Sequence, residues 1–194
     1  MLNRARRALA QPVSDLAGRI LARTPLTPNL LTLIGFLLAV VVACVLATGH
    51  LFLGGFLVLL SGVFDILDGA LARATGHITR FGGLLDSTLD RFSEAVIFLG
   101  LLAFYVERGS YQESLLVCAA LIGSIMTSYV RARAEGLGLK CEVGIFTRPE
   151  RVILLAIGLI ANQMLVILWI MAVLSNLVAV QRVIHVWRQT RGTE

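Results

Sequence analysis

Apolar residues run in long blocks along this chain, and the polar residues between them fall in short clusters. A membrane-crossing helix needs about 20 mostly apolar residues. Such runs predict six spanning helices, over roughly 30–48, 51–73, 84–107, 111–135, 149–162 and 164–187. The second run is broken by Asp65 and Asp68, and the third by Asp86, Asp90, Arg91 and Glu94. The fifth and sixth are divided only by Asn162-Gln163, which predicts a tight hairpin, because one continuous helix would be too long for a bilayer. Pro25, Pro28 and Pro149 stand at expected helix entrances, where a missing N–H is harmless. Upstream, Val13, Leu16, Ala17, Ile20 and Leu21 follow helical spacing, with Asp15, Arg19 and Arg23 on the other side of the wheel. This predicts an amphipathic helix over 13–24 lying on the membrane surface. Pro12, Asp15 and Arg19 interrupt any apolar stretch after Arg4, Arg6 and Arg7, so the start does not read as a cleavable signal.

Composition agrees with the pattern. Of 194 residues, 57% are hydrophobic and 15% charged, and the mean hydropathy is +0.85, which leaves too little polar surface to cover a soluble core. The expected fold is therefore an all-α integral membrane protein, a single domain over 1–194 with a six-helix bundle over 30–187. Cys44, Cys118 and Cys141 are far apart, as are His50, His77 and His185, so neither a disulfide framework nor a histidine metal site is indicated.

Charge sets the orientation. The connections near 49–50, 108–110 and 162–163 contain only Arg108 of the seventeen Lys and Arg residues. The rest lie in the N-terminal segment, the 74–83 and 136–148 loops, the C-terminal tail or adjoining helix ends. Both termini are expected in the cytoplasm of a multi-pass cell-membrane protein. The basic balance is thus topological, and no soluble basic face for nucleic acid exists.

The chemistry is concentrated between positions 65 and 90. Asp65 and Asp68 are three residues apart and Asp86 and Asp90 four, so each pair shares a helix face. The 74–83 loop joins the helix ends that carry them, which makes the two faces neighbours. Four converging carboxylates inside a membrane protein need compensation, and hard divalent cations are the simplest source. Mg2+ or Mn2+ suits, as two ions per site, since both also bind phosphate oxygens. Gly69, Ala72 and Gly82 leave room for a bulky ligand near the backbone, and Arg73 could hold a pyrophosphate. Gly83 is read as helix packing only.

The run Asp65-x2-Asp68-Gly69-x2-Ala72-Arg73-x8-Gly82-x3-Asp86-x3-Asp90 resembles the signature of the CDP-alcohol phosphatidyltransferase family at all eight fixed positions. That resemblance implies transfer of a phosphatidyl-type group from a CDP-linked lipid to a small alcohol, releasing CMP. It implies metal held by Asp65, Asp68 and Asp86, with Asp90 as general base or as a ligand to a second ion. Gly69, Ala72, Arg73 and Gly82, together with Asp68, would line the CDP site; Asn29 and Thr79 would also touch the nucleotide. The family also implies a homodimer among membrane lipids.

The acceptor is read from arginines near the same membrane face. Arg131 and Arg182 lie inside apolar helices, where an unpaired cation is costly, so an anionic partner is expected. Ser128, Arg131, Arg148, Arg151 and Arg182 resemble the acceptor-phosphate site of the branch that uses inositol 1-phosphate, although that branch often carries lysine where this chain has Arg131. Arg133, Arg188 and Arg191 read as orientation signals. Two alternatives stay open: glycerol 3-phosphate as acceptor, and a cation transporter using the acidic cluster as its ion site. Diacyl and archaeal ether chains are both compatible with the sequence.

Overall fold

The structure is a computed structural model that describes Leu16, Gly18 and residues 20–191. Among these residues there is no strand. Six helices follow in order: α1 Pro28–Ala47, α2 Leu51–Thr75, α3 Arg80–Glu107, α4 Tyr111–Gly136, α5 Arg148–Ile160 and α6 Met164–Thr190. Their ends are set by local chemistry. Thr27 caps α1, its hydroxyl accepting from the Leu30 N–H at 3.3 Å, with Pro28 at the first turn. Gly76 closes α2 in the left-handed region (φ 70°), which a residue with a Cβ enters less readily. Thr79 then caps α3 by accepting from the Gly82 N–H at 2.9 Å. At α5 the Glu150 carboxylate accepts from the Thr147 N–H at 2.9 Å, as in a capping box. The hairpin expected at Asn162-Gln163 is present, with Asn162 at φ 53°.

The principal helix contacts close a ring: α1 on α2, α2 on α5, α5 on α6, α6 on α4, α4 on α3, and α3 back on α1. Small residues permit the closest approaches, as they do between helices in lipid. At Gly100 of α3 a Cβ would come within 2.3 Å of the Ala43 carbonyl oxygen of α1. Val58, Phe98, Leu101, Leu159, Leu168 and Met171 fill the interior. The outer faces are apolar too: Leu37, Phe52, Phe56, Leu99, Leu115, Trp169 and Leu177 are all at least half exposed. An apolar exterior over an apolar core is what a bilayer solvates and water does not.

Four helices, α1, α2, α4 and α6, are long and apolar enough to cross a membrane. The protein is thus an all-helical membrane protein. Of the other two, α3 has 28 residues but carries the acidic cluster, and α5 has only 13, about 20 Å at 1.5 Å per residue. Of the surface helix expected over 13–24, residues 13–15, 17 and 19 lie outside the described residues. Within it Leu16 and Ile20 are helical and exposed, and Gly18 is buried.

Candidate functional site

The last turns of α2 and the first turns of α3 flank α1 without packing closely on one another. The carboxylates face the space this leaves. Along α3, Asp86, Asp90 and Glu94 recur every four residues and so form one stripe. On α2, Asp65 and Asp68 lie a turn apart.

The structure recombines the two sequence pairs across the helices. Asp68, only 4% exposed, accepts a 2.8 Å hydrogen bond from the Thr32 hydroxyl of α1. Asp68 and Asp86 line one cleft with Pro28, Asn29, Thr32, Gly69, Ala72, His77, Ile78, Thr79, Gly82 and Gly83. Gly82 matters here for space: a Cβ would lie 3.1 Å from the Asn29 side-chain oxygen and 2.9 Å from that of Thr79. Arg73 is exposed and does not line this cleft; its guanidinium folds back over Gly69.

Asp65 and Asp90 form the other pair, joined by Arg148 from the start of α5. Arg148 Nη2 lies 2.7 Å from Asp65 Oδ2, and Nη1 bonds Asp90 Oδ1. Arg91 also reaches Asp90 Oδ2, at 3.2 Å. Asp65 opens on a second, narrow cleft, walled by Val58, Ile97, Phe98, Leu155 and Met171 and polar where Ser61, Ser93, Glu94, Arg148 and Arg151 enter it.

Three of the remaining arginines named from the sequence are already engaged. Arg151, 2% exposed, holds Glu94 by two bonds, Nε to Oε1 at 2.7 Å and Nη2 to Oε2 at 2.9 Å. Arg182, 4% exposed, donates to the carbonyls of Val143 at 2.9 Å and Thr127 at 2.6 Å, so it meets dipoles rather than a carboxylate. Arg131 is exposed and pairs along its own helix with Glu135 at 2.8 Å. Ser128 is half-buried beside Thr127.

Two partners escaped the sequence reading. Thr32 stands one turn beyond Asn29 on α1, and Glu94 stands four residues beyond Asp90. Helical spacing alone flags both. His77 and Ile78 enter the cleft from the loop and carry no such signal.

Does a divalent cation fit? Among the described residues no three carboxylate, imidazole or thiolate groups are already gathered around one point. The donor chemistry is nevertheless that of a hard ion, four carboxylates from two facing helices. Between Asp65 and Asp90 the Arg148 guanidinium marks where positive charge is wanted.

Comparison with known proteins covers the whole assembly. A family model described as CDP-alcohol phosphatidyltransferase matches residues 25–188. The archaetidylinositol phosphate synthase of Methanothermobacter thermautotrophicus is 38% identical over 98% of this chain and 96% of its own length. The phosphatidylinositol phosphate synthase of Mycobacteroides abscessus is 40% identical over 97% of this chain and 89% of its own. The crystal structure of the Mycobacterium tuberculosis phosphatidylinositol phosphate synthase with CDP-DAG bound superimposes with a TM-score of 0.83 at 34% identity, over 91% of this chain and 94% of that one. The same enzyme in complex with manganese and citrate gives a TM-score of 0.81 at 35% identity, over 90% of this chain and 88% of that one.

Proposed function

Because the chain belongs to the CDP-alcohol phosphatidyltransferase family, we propose that it transfers the phosphatidyl-type group of a CDP-linked lipid to inositol 1-phosphate, giving a phosphatidylinositol phosphate-type lipid and CMP. One observation carries the donor half of this reading. Asn29, Asp68, Gly69, Ala72, Thr79, Gly82 and Asp86, scattered over three helices and a loop, line a single cleft. Relatives matching nearly end to end are named for inositol phosphate-type products, which supports the acceptor. Membership of an enzyme family removes the transporter alternative.

Asp65, Asp68, Asp86 and Asp90 would hold one or two divalent ions, Mg2+ or Mn2+. Bound there, the ions supply charge neutralisation at the pyrophosphate and on the departing CMP. Asp90 takes the proton of the acceptor hydroxyl while that oxygen bonds the lipid-bearing phosphorus. The bond from that phosphorus to the bridging oxygen breaks, and its electron pair leaves with CMP. Asn29, Gly69, Ala72, Thr79 and Gly82 shape the CDP cleft, and Arg73 at its edge reaches the pyrophosphate. Ser128, Arg131, Arg148, Arg151 and Arg182 receive the acceptor's phosphate. Arg182 suits this best, because its charge has only carbonyl partners.

All six helices are read as crossing the membrane, with α5 reaching across as a short helix against α2 and α6. The active site and both termini lie at the cytoplasmic face, where all but one of the Lys and Arg residues gather. Apolar outer faces leave room for a second copy in a homodimer. Mass spectrometry of the lipid formed when inositol 1-phosphate and glycerol 3-phosphate compete tests the acceptor. The inositol product is expected; phosphatidylglycerophosphate alone would replace this reading with the glycerol 3-phosphate one.

A further inference from the structure

The four aspartates are not equivalent. Asp68 and Asp86 open on the CDP cleft, with Thr32 donating to Asp68. Asp65 and Asp90 are instead closed by the two arms of one guanidinium. One pair thus faces the cleft, and the other holds a guanidinium between its carboxylates.

That guanidinium is held incompletely. Arg148 uses both terminal nitrogens on the carboxylates, but its Nε is buried without a hydrogen-bond partner. A buried donor left unmade weakens its hold. The backbone beneath it, by contrast, is fixed. One turn further along α5, Arg151 is clamped to Glu94 by two bonds, and Glu150 caps the helix start. The Arg148 side chain can therefore turn away while α5 stays docked.

Charge decides what makes it turn. Asp65 and Asp90 carry two negative charges, against which Arg148 sets one positive charge between them and Arg91 a second, at the far oxygen of Asp90. A divalent ion entering between the carboxylates beside Arg148 would put four positive charges, two of them its own, against two negative ones. Like charges this close, partly withdrawn from water, repel strongly. Ion and guanidinium therefore compete for the same two carboxylates.

We propose that Arg148 is a built-in competitor for the second metal ion, neutralising Asp65 and Asp90 in the metal-free enzyme and released toward the acceptor's phosphate when that ion binds. The proposal rests on the metal reading of the four aspartates. It gives Arg148 two successive anionic partners and couples full metal loading to assembly of the acceptor site. It also makes binding ordered: the ion at Asp68 and Asp86 needs no displacement, and the ion at Asp65 and Asp90 does.

Mn2+ binding by the purified full-length protein in nanodiscs, followed by the electron paramagnetic resonance of free Mn2+ without lipid donor or acceptor, tests it. The unsubstituted protein should show a tight and a weak class. Arg148→Gln should tighten the weak class at least about tenfold, about the effect of lowering a local repulsion by 1.4 kcal/mol. Arg148→Lys keeps the charge but loses the fork, so its weak class should fall between the two. If Arg148→Gln does not fold, the comparison of Arg148→Lys with the unsubstituted protein stands alone. A weak class that is unchanged or weakened in these variants overturns the proposal, while Mn2+ binding that Asp68→Asn abolishes would leave the metal reading intact. No Mn2+ binding by the unsubstituted protein would overturn both.

Discussion

Arg151 of α5 grips Glu94 of α3 through two parallel hydrogen bonds, 2.7 and 2.9 Å, with the arginine side chain only 2% exposed. The pair ties α5 to α3, two helices that are not neighbours in the ring of principal contacts. It also continues the stripe that begins at Asp86, so the same helix face carries both the reactive acids and their anchor.

Glu94→Gln should therefore destabilise the protein by about 3 kcal/mol, because it leaves a buried guanidinium with no counter-charge. A thermal melt in detergent checks this. The double change Glu94→Gln with Arg151→Met should recover most of the loss, since no unpaired charge remains. A single variant that melts like the parent would show that the pair contributes nothing.

Thr32→Val removes the hydroxyl that donates to Asp68 at 2.8 Å and to the Pro28 carbonyl at 3.0 Å. Asp68 then keeps its charge but loses its orientation. A charge-assisted bond of this kind is worth about 1.5 kcal/mol, so turnover per unit of CDP-lipid should fall roughly tenfold. The expected change lies in the donor kinetics, with acceptor KM steady.

Gly82→Ala should act on the same cleft by crowding it. The added Cβ meets the Asn29 side-chain oxygen at 3.1 Å and the Thr79 hydroxyl at 2.9 Å, so one of them must shift. CDP-lipid KM is expected to rise several-fold, about 1 kcal/mol in binding. Unchanged donor KM would place the nucleotide elsewhere.

Asp90→Asn preserves shape and removes the base. CDP-lipid binding, measured directly by calorimetry, should persist while turnover falls by at least about a hundredfold. Retained turnover would end the assignment of Asp90. Arg182→Ala addresses the other substrate: acceptor KM should rise at least about tenfold while CDP-lipid KM moves far less, assayed well below the variant's melting temperature because the Thr127 and Val143 carbonyls lose their donor.

Periodicity and caps made much of the architecture readable from the sequence. The expected runs 30–48 and 111–135 differ from α1 and α4 by no more than two residues at either end, and the Asn162-Gln163 break is the α5–α6 hairpin. Helix α3 begins four residues before the expected 84, because the Thr79 cap lies outside the apolar run that marked it. Three- and four-residue spacing put Asp65 a turn from Asp68 and Asp86 a turn from Asp90. Which acid meets which partner was not legible. Pairing of Asp65 with Asp90 through Arg148 depends on how α5, packed on α2 and α6, reaches α3 with its first turns, a long-range relation that no local spacing encodes. The arginines were harder still. Depth in an apolar helix signals that Arg182 needs a partner, but not that two backbone carbonyls supply it.

CMP release by the purified protein, with CDP-diacylglycerol and Mg2+ and one acceptor at a time, tests the central claim most directly. Inositol 1-phosphate should support turnover, and glycerol 3-phosphate and free inositol should not. Chelation of the metal and Asp90→Asn should each abolish it. Turnover with glycerol 3-phosphate but not inositol 1-phosphate would contradict the acceptor assignment, and CMP release that survives both chelation and Asp90→Asn would contradict the carboxylate–metal chemistry itself.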